Sequence, residues 1–206
     1  MLAGPTAQSA PLTRRVSSLN IRLTNRRSER SGSHLGLEDA LQVITPLVTA
    51  TAEWISTDGY VERQTVVPSA GARHPLTALL LSRNDSEKRL EAWAVSPSAA
   101  PRRYEVTGHQ SEIRNVLRST ADALQMPQAP STVVVLLARF RRTLSKYPDG
   151  ESLVWRDSGV FLGTAHLIAA SLELHSCVVG IAETTSFALN GTSDTLVDVG
   201  ALSLWG

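Results

Sequence analysis

Pro68-Ser69-Ala70-Gly71-Ala72-Arg73-His74-Pro75 is a turn made almost wholly of small residues and closed by an arginine and a proline. With no large side chain across its first half, backbone N–H groups in such a turn can approach a flat or anionic ligand closely. Upstream, Asn25-Arg26-Arg27-Ser28-Glu29-Arg30 sets three guanidinium groups within five residues, and guanidinium forks match phosphate oxygens. The two segments together point to a ligand that is both planar and phosphorylated.

The rest of the chain sets bounds on this reading. With 206 residues, 42% of them hydrophobic, and a net charge of +1, one globular domain with an ample core is expected. Basic residues are balanced by acids and form no long stripe, which argues against nucleic acid as a partner. The longest apolar stretch, around Val160 to Ala170, contains His166 and is too short to span a bilayer, so no membrane role is expected. No secretory signal is visible in Met1 to Leu12, and the single Cys177 excludes an intrachain disulfide and a cysteine zinc site. No metal site is expected, and a cytoplasmic location is the default. Only Lys88 and Lys146 are lysines; a GC-rich genome would account for the arginine bias.

Residues 1–13, rich in Pro, Ser, Thr and Ala, read as mobile. We place a flexible leader at residues 1–15 and one domain at 16–206. Val16 to Thr24 suits a short strand or helix start. Leu35 to Trp54 reads as a helix on the spacing of Leu37, Leu41, Ile44, Leu47 and Val48, with Pro46 predicting a kink or break. Leu76 to Ser82 and Leu90 to Val95 are strand-like, joined by a turn at Asn84-Asp85-Ser86. Tyr104-Glu105-Val106 reads as extended chain, and Gln110 to Gln125 as an amphipathic helix through Ile113, Leu117, Ala121 and Leu124. Ser131 to Phe140 is the clearest buried strand. Ser158 to Leu174, apolar nearly all round, suits a central buried helix whose Gly159, Gly163, Ala165, Ala169 and Ala170 permit close packing. Ser176 to Gly180 is expected to turn out of that helix, before a last strand over Leu196 to Leu204. Elements mixed in this way give an α+β layered domain.

An arginine cluster, a helix, a Pro-Ser-Ala-Gly turn, a sheet and a buried helix, in that order, resemble the nitroreductase-like flavoproteins. Within them the chain is similar to the SagB-type dehydrogenases, flavin enzymes that oxidise azolines in peptide natural products. Arg26-Arg27-Ser28-Glu29-Arg30 is similar to the family's opening Arg-Arg-Ser-x-Arg, and Pro68 to Pro75 to its flavin-contacting turn. Lys146-Tyr147 stands where the subfamily carries a lysine–tyrosine pair, and Cys177-Val178-Val179-Gly180 follows in the expected place. The resemblance spans roughly residues 20 to 204. It implies an α+β, nitroreductase-like fold with a central, mostly antiparallel sheet packed by helices, and a homodimer with FMN at the subunit interface.

By the same resemblance, Arg26, Arg27, Ser28 and Arg30 hold the FMN phosphate. Pro68, Ser69, Ala70 and Gly71 pass beside the isoalloxazine ring, Arg73 lies near its polar pyrimidine edge, and Val179 and Gly180 flank the ring from another side. Lys146 and Tyr147 are the expected catalytic pair, since oxidising an azoline removes a proton from carbon as hydride leaves. A desolvated lysine can serve as that base. The expected substrate is a modified peptide, with a thiazoline or oxazoline oxidised to the azole and a companion biosynthetic subunit an option. Two flavin alternatives are a cyclic dipeptide oxidase and an NAD(P)H-dependent nitroreductase. A third reading, a flavin-free scaffold subunit, is motivated by departures from the family pattern. The stretch Asp157 to Thr164 lacks the family's polar helix residues, and Leu204-Trp205-Gly206 carries no arginine. His74 is as consistent with an exposed loop residue as with a functional one, His166 reads as a satisfied core histidine, and Cys177 as a small buried residue.

Overall fold

The computed structural model describes residues 27–84, 89–100, 103–105, 110–180 and 196–206. The leader expected at residues 1–15, the element expected over Val16 to Thr24, and Arg26 lie outside the described residues, as do Asp85, Ser86 and Val106. The chain forms α1 (Leu37–Val48), the hairpin β1 (Ala50–Ile55) and β2 (Val61–Thr65), then β3 (Leu76–Asn84), β4 (Arg89–Val95) and β5 (Arg103–Glu105). There follow α2 (Gln110–Leu124), β6 (Thr132–Ala138), α3 (Phe140–Leu144), α4 (Glu151–Ser171), β7 (His175–Val179) and β8 (Val197–Trp205).

Six strands make one sheet in the order β5-β4-β3-β6-β8-β7, and every neighbouring pair is antiparallel. This is the α+β architecture read from the sequence, with the central antiparallel sheet that the resemblance implies. Alternation along each strand sorts side chains between two faces. Ala78, Leu80, Val134, Leu136, Leu202 and Leu204 join Ile44 and Leu47 of α1 and Phe161 and Ala165 of α4. Leu79, Leu81, Val133, Val135, Leu137 and Ala201 join Ile113, Val116, Leu117 and Leu124 of α2. With helices on both faces, β6 is buried at all seven positions, which is why its sequence runs apolar without alternation.

Several boundaries differ from the sequence expectation. The helix expected to reach Trp54 ends at Val48, two residues after Pro46, and the chain then turns into β1. Ser176 to Gly180, expected as a turn, is mostly β7, paired with β8 from His175↔Trp205 to Val179↔Ala201. The long helix begins at Glu151, seven residues earlier than expected, and Asn84 belongs to β3. That helix is buried on one side only: Phe161, Leu162, Ala165 and Ala169 enter the core, while Gly159 and Gly163 have open space above them. Trp155 and Val160 on the same outer side are 52% and 42% exposed.

Candidate functional site

The small-residue turn lies between β2 and β3 at one end of the sheet. Ala70–Ala72 makes a single tight helical turn in which Gly71 is left-handed at φ 60°, followed by the non-glycine residues Ala72 at φ 58° and His74 at φ 44°. Left-handed backbone is costly for residues with a Cβ, so this conformation needs external support. The first support is Asp157 on the buried side of α4. Its Oδ2 accepts from the Ser69 hydroxyl at 2.5 Å and its carboxylate accepts from the Ala70 N–H at 3.2 and 3.3 Å. Ser69 Oγ in turn accepts from the His74 N–H at 2.9 Å. Burial pushes the Asp157 carboxyl above its ordinary range, opposed by the hydrogen bonds from Ser69 and Ala70.

A second support comes from the segment after α3. Lys146 Nζ donates to Glu62 Oε1 on β2 at 2.8 Å and to the Gly71 carbonyl at 3.3 Å. A Cβ built on Gly71 would stand 2.8 Å from Lys146 Cδ and 3.0 Å from both Tyr147 Cε2 and its hydroxyl. The turn and the Lys146-Tyr147 pair, singled out separately in the sequence, are therefore in direct contact. Tyr147 remains 37% exposed. Glu62 Oε2 also accepts from Trp54 Nε1 at 2.7 Å, and the hydrogen bonds from Lys146 and Trp54 hold the Glu62 carboxyl below its ordinary range. The expected lysine is a desolvated base; here its ammonium is half-exposed and donates to a carboxylate.

Arg73 is placed differently from the expectation that it reaches a ligand's polar edge. Its side chain is 1% exposed and turns inward, with NH2 on Asp58 Oδ2 and NH1 3.8 Å from Glu62 Oε1. Its guanidinium carbon lies 4.7 Å from the centre of the Tyr60 ring, a cation–π arrangement. Hydrogen bonds from Ser56 and Arg73 lower the Asp58 carboxyl to about 2. Two carboxylates on the β1–β2 hairpin thus neutralise the one guanidinium, which pins the hairpin to the turn. Arg142 on α3 completes the clamp: its Nε donates to the Arg73 carbonyl at 2.9 Å and its NH2 to the Val61 carbonyl at 3.0 Å.

The arginine cluster is elsewhere. Leu76, just after the turn, pairs with Ala138, which pairs with Val197. At the other end Ser82 pairs with Thr132, Thr132 with Leu204, and Leu204 with Ser176. The Glu29 N–H donates to the Ser176 carbonyl at 3.1 Å, which fixes Arg27, Ser28 and Arg30, all exposed, at that second end. Six residues of strand separate the ends, roughly 20 Å at about 3.3 Å per residue. Among the described residues of one chain the two sequence motifs do not meet. Val179, 2% exposed, ends the outer strand β7, and Gly180, exposed with open space above it, directly follows; both lie apart from the turn.

Three residues weighed in the sequence remain. His166 is buried and its Nδ1 shares a short hydrogen bond with Ser176 Oγ; Cys177 is buried in β7. His74 is half-buried rather than exposed, with Nε2 2.8 Å from the Arg63 carbonyl, and burial lowers its pKa. Asp58, Tyr60, Glu62, Arg142 and Asp157 were not singled out in the sequence. Asp58-Gly59 is a hairpin signal that could have located the first three, and Asp157 is a carboxylate on the buried side of α4.

No family model and no curated protein matches this chain. Solved structures do. A chain of the E. coli microcin synthetase McbBCD complex with truncated pro-MccB17 bound matches 98% of this chain and 78% of its own at 17% identity, with a TM-score of 0.63. A candidate nitroreductase from Ralstonia eutropha matches 96% of this chain and 86% of its own at 15% identity and a TM-score of 0.65. A candidate nitroreductase from Desulfovibrio desulfuricans, solved in complex with FMN, matches 92% and 86% at 12% identity and a TM-score of 0.57. The fold is nitroreductase-like. Among the described residues no helix is long and apolar enough to cross a membrane.

Proposed function

We propose that this chain is an FMN-dependent oxidoreductase that oxidises a ring in a modified peptide, thiazoline or oxazoline to azole, as one half of a homodimer. The observation that carries the reading is the contact of the Pro68–Arg73 turn with Lys146 and Tyr147 on a nitroreductase-like fold. The donor set suits FMN. Arg27, Ser28 and Arg30 are exposed and fit its phosphate, with Arg26 assigned beside them from the sequence, and the half-buried Ser69–Gly71 main chain fits the edge of a flat ring. The roughly 20 Å between them favours a site to which each of two copies contributes one end. In the dimer, the turn of one copy faces the arginines of the other. The outer side of α4, where Trp155, Gly159, Val160 and Gly163 leave an apolar, shallow surface, is the face a second copy would cover.

A bound FMN supplies the hydride acceptor, with molecular oxygen as terminal oxidant. The chain's own groups do the rest. Ser69 and Ala70, held by Asp157, keep small residues and main chain along the ligand. Val179 and Gly180 border it from the β7 side. Lys146 Nζ and the exposed Tyr147 hydroxyl handle the proton lost from the ring carbon. In the resting arrangement Lys146 donates to Glu62; to act as a base it must leave that carboxylate and give up a proton. Arg73, neutralised by Asp58 and Glu62, positions the turn rather than touching the ring. The bound pro-MccB17 of the McbBCD neighbour supports a peptide substrate and a companion subunit.

The visible spectrum of the purified chain after incubation with FMN tests this. Flavin bands that survive gel filtration are expected, and Arg27→Ala with Arg30→Ala should release them. Lys146→Ala and Tyr147→Phe should retain flavin and lose azoline oxidation. Absence of FMN uptake at any concentration refutes the reading and favours the scaffold. Direct bleaching of the flavin by NADPH favours the nitroreductase alternative, for which the fold neighbours speak.

A further inference from the structure

The β1–β2 hairpin is a two-stranded sheet of its own, and its two long edges differ. The Ser56 N–H donates to the Tyr60 carbonyl at 2.9 Å, so these two residues face each other through a hydrogen bond. In an antiparallel ladder such pairs alternate with pairs whose N–H and C=O groups point away from the partner strand. Ile55↔Val61 and Glu53↔Arg63 are therefore the outward-pointing pairs. On the β2 side both outward carbonyls are engaged: that of Val61 accepts from Arg142 NH2 at 3.0 Å, and that of Arg63 lies 2.8 Å from His74 Nε2.

The β1 side starts paired and then opens. Ser98 runs parallel to Thr49, its N–H donating to the Val48 carbonyl at 3.0 Å and its carbonyl accepting from the Ala50 N–H at 2.8 Å. The next N–H, that of Ala99, goes instead to the Glu53 carboxylate at 3.1 Å. Past Ala50 no main-chain group among the described residues bonds this edge. Thr51 to Ile55 are all exposed, Trp54 at 44% and Ile55 at 77%. Proteins commonly blunt an open edge with lysine, proline or charge. β1 has no lysine or proline, and its one acid, Glu53, is held by Arg63 at 2.7 Å. Trp54 and Ile55 instead set apolar surface on both faces beside the edge.

We infer that the β1 edge from Glu53 to Ile55 is the docking strand for an uncharged, extended peptide, the one that carries the ring of the proposed reaction; the inference rests on that reading. The main-chain groups of an open edge are matched by the main chain of an added strand, and the flanking side chains select its sequence. Ser98 already occupies one end of this edge in that manner. The peptide is uncharged because the hairpin's charges are matched within the chain: Glu53 with Arg63, Asp58 and Glu62 with Arg73, and Glu62 also with Lys146. Trp54 links the edge to the candidate site. Its Nε1 donates to Glu62 Oε2 at 2.7 Å, while Glu62 Oε1 accepts from Lys146 Nζ at 2.8 Å. A strand beside β1 runs two strand spacings, roughly 10 Å, from β2, which carries Glu62. At about 3.3 Å per residue, a ring about three residues beyond the paired stretch comes within reach of Lys146 and Tyr147.

Fluorescence anisotropy of the full chain with a fluorescein-labelled Gly-Thr-Val-Thr-Gly-Gly peptide ending in a thiazole tests this without flavin. Saturable binding is expected. N-methylation of the peptide's central residues, one at a time, should weaken it about tenfold at alternate positions only, those whose N–H faces β1. Ile55→Pro removes an outward N–H that the hairpin does not use, a change that edge strands tolerate. It should weaken binding about tenfold, the worth of one main-chain hydrogen bond, with an unchanged circular dichroism spectrum. Ile55→Thr keeps the N–H and should retain the affinity. FMN uptake and oxidation of free 2-methyl-2-thiazoline should be the same in Ile55→Pro as in the unaltered chain. Absence of both in the unaltered chain refutes the proposed function, whereas the anisotropy alone decides the docking edge. The inference is overturned if the peptide does not bind, if no single N-methylation weakens it, if Ile55→Pro binds unchanged, or if Ile55→Thr loses as much as Ile55→Pro. A dimer that Ile55→Pro converts to monomer in gel filtration also overturns it, in favour of a second copy of this chain on the edge.

Discussion

Replacing Asp157 by alanine should loosen the candidate site from behind without touching anything a ligand would meet. The carboxylate accepts from two donors, the Ser69 hydroxyl at 2.5 Å and the Ala70 N–H at 3.2 Å. Hydrogen bonds to a charged acceptor are worth about 1.5–3 kcal/mol each. Two offsets apply. The carboxyl is buried and its pKa is raised, so deleting it also removes a desolvation cost, and water can reach the half-buried Ser69 hydroxyl. A net loss of about 2 kcal/mol remains, which for a domain of this size lowers the Tm by about 4–8 °C. Asp157→Asn keeps one acceptor oxygen and should lose about half as much. Thermal unfolding followed by circular dichroism reads the total, and hydrogen exchange at the Ala70 amide locates it. An alanine variant melting within about 1 °C of the unaltered chain, with Ala70 equally protected, would show that α4 does not hold the turn.

Two further expectations concern the same turn. Gly71→Ala adds a Cβ at φ 60° and only 2.8 Å from Lys146 Cδ; it should cost about 1–2 kcal/mol from the left-handed backbone alone, and a Tm drop under about 1 °C would contradict the geometry. His74 has its pKa lowered by burial from the ordinary 6.5, so the fold favours the neutral ring. Its contribution is complete above that ordinary value and is lost as pH falls through the folded-state value. His74→Asn, which tolerates the left-handed backbone, should remove a component of the stability loss between about pH 7 and pH 5; equal pH slopes for the two proteins would refute it.

Much of the fold was legible because the core obeys simple periodicities. The Val133–Leu137 run could only be a strand covered on both faces, and Ile113, Leu117 and Leu124 mark α2 at the helical spacing. The errors have physical origins. The apolar spacing of α1 continues past Val48 into β1, so period alone could not stop the helix; Pro46 was the available signal, and it acts two residues late. β7 spans only five residues, too few to show alternation, and it is fixed by pairing with β8, which is distant in sequence. In the candidate site, the turn and the Lys146-Tyr147 pair were legible as motifs. Their carboxylate partners were not, because Glu62 and Asp157 lie 84 and 88 residues from the groups they hold. Only the fold creates those pairs. The same holds for Arg73, whose inward orientation follows from Asp58 and Glu62 on a hairpin that the helical reading had erased.

The turn itself supplies the last step. Ala72 and His74 both stand in left-handed backbone, at roughly 1–2 kcal/mol each. Such conformations persist only where the surroundings over-determine them, and they concentrate at functional sites. Here Asp157 from α4, Arg142 from α3 and Lys146 from the following loop all grip the segment, three of the contacts through its main chain. The core gains little in return, because Ser69, Ala70, Gly71 and Ala72 are only half-buried. Joining β2 to β3 would not require this, since an ordinary turn needs no strained alanine and no buried aspartate. The expense is therefore for the shape that the turn presents outward, a short length of main chain with almost no side chain over it, set against Lys146 and Tyr147.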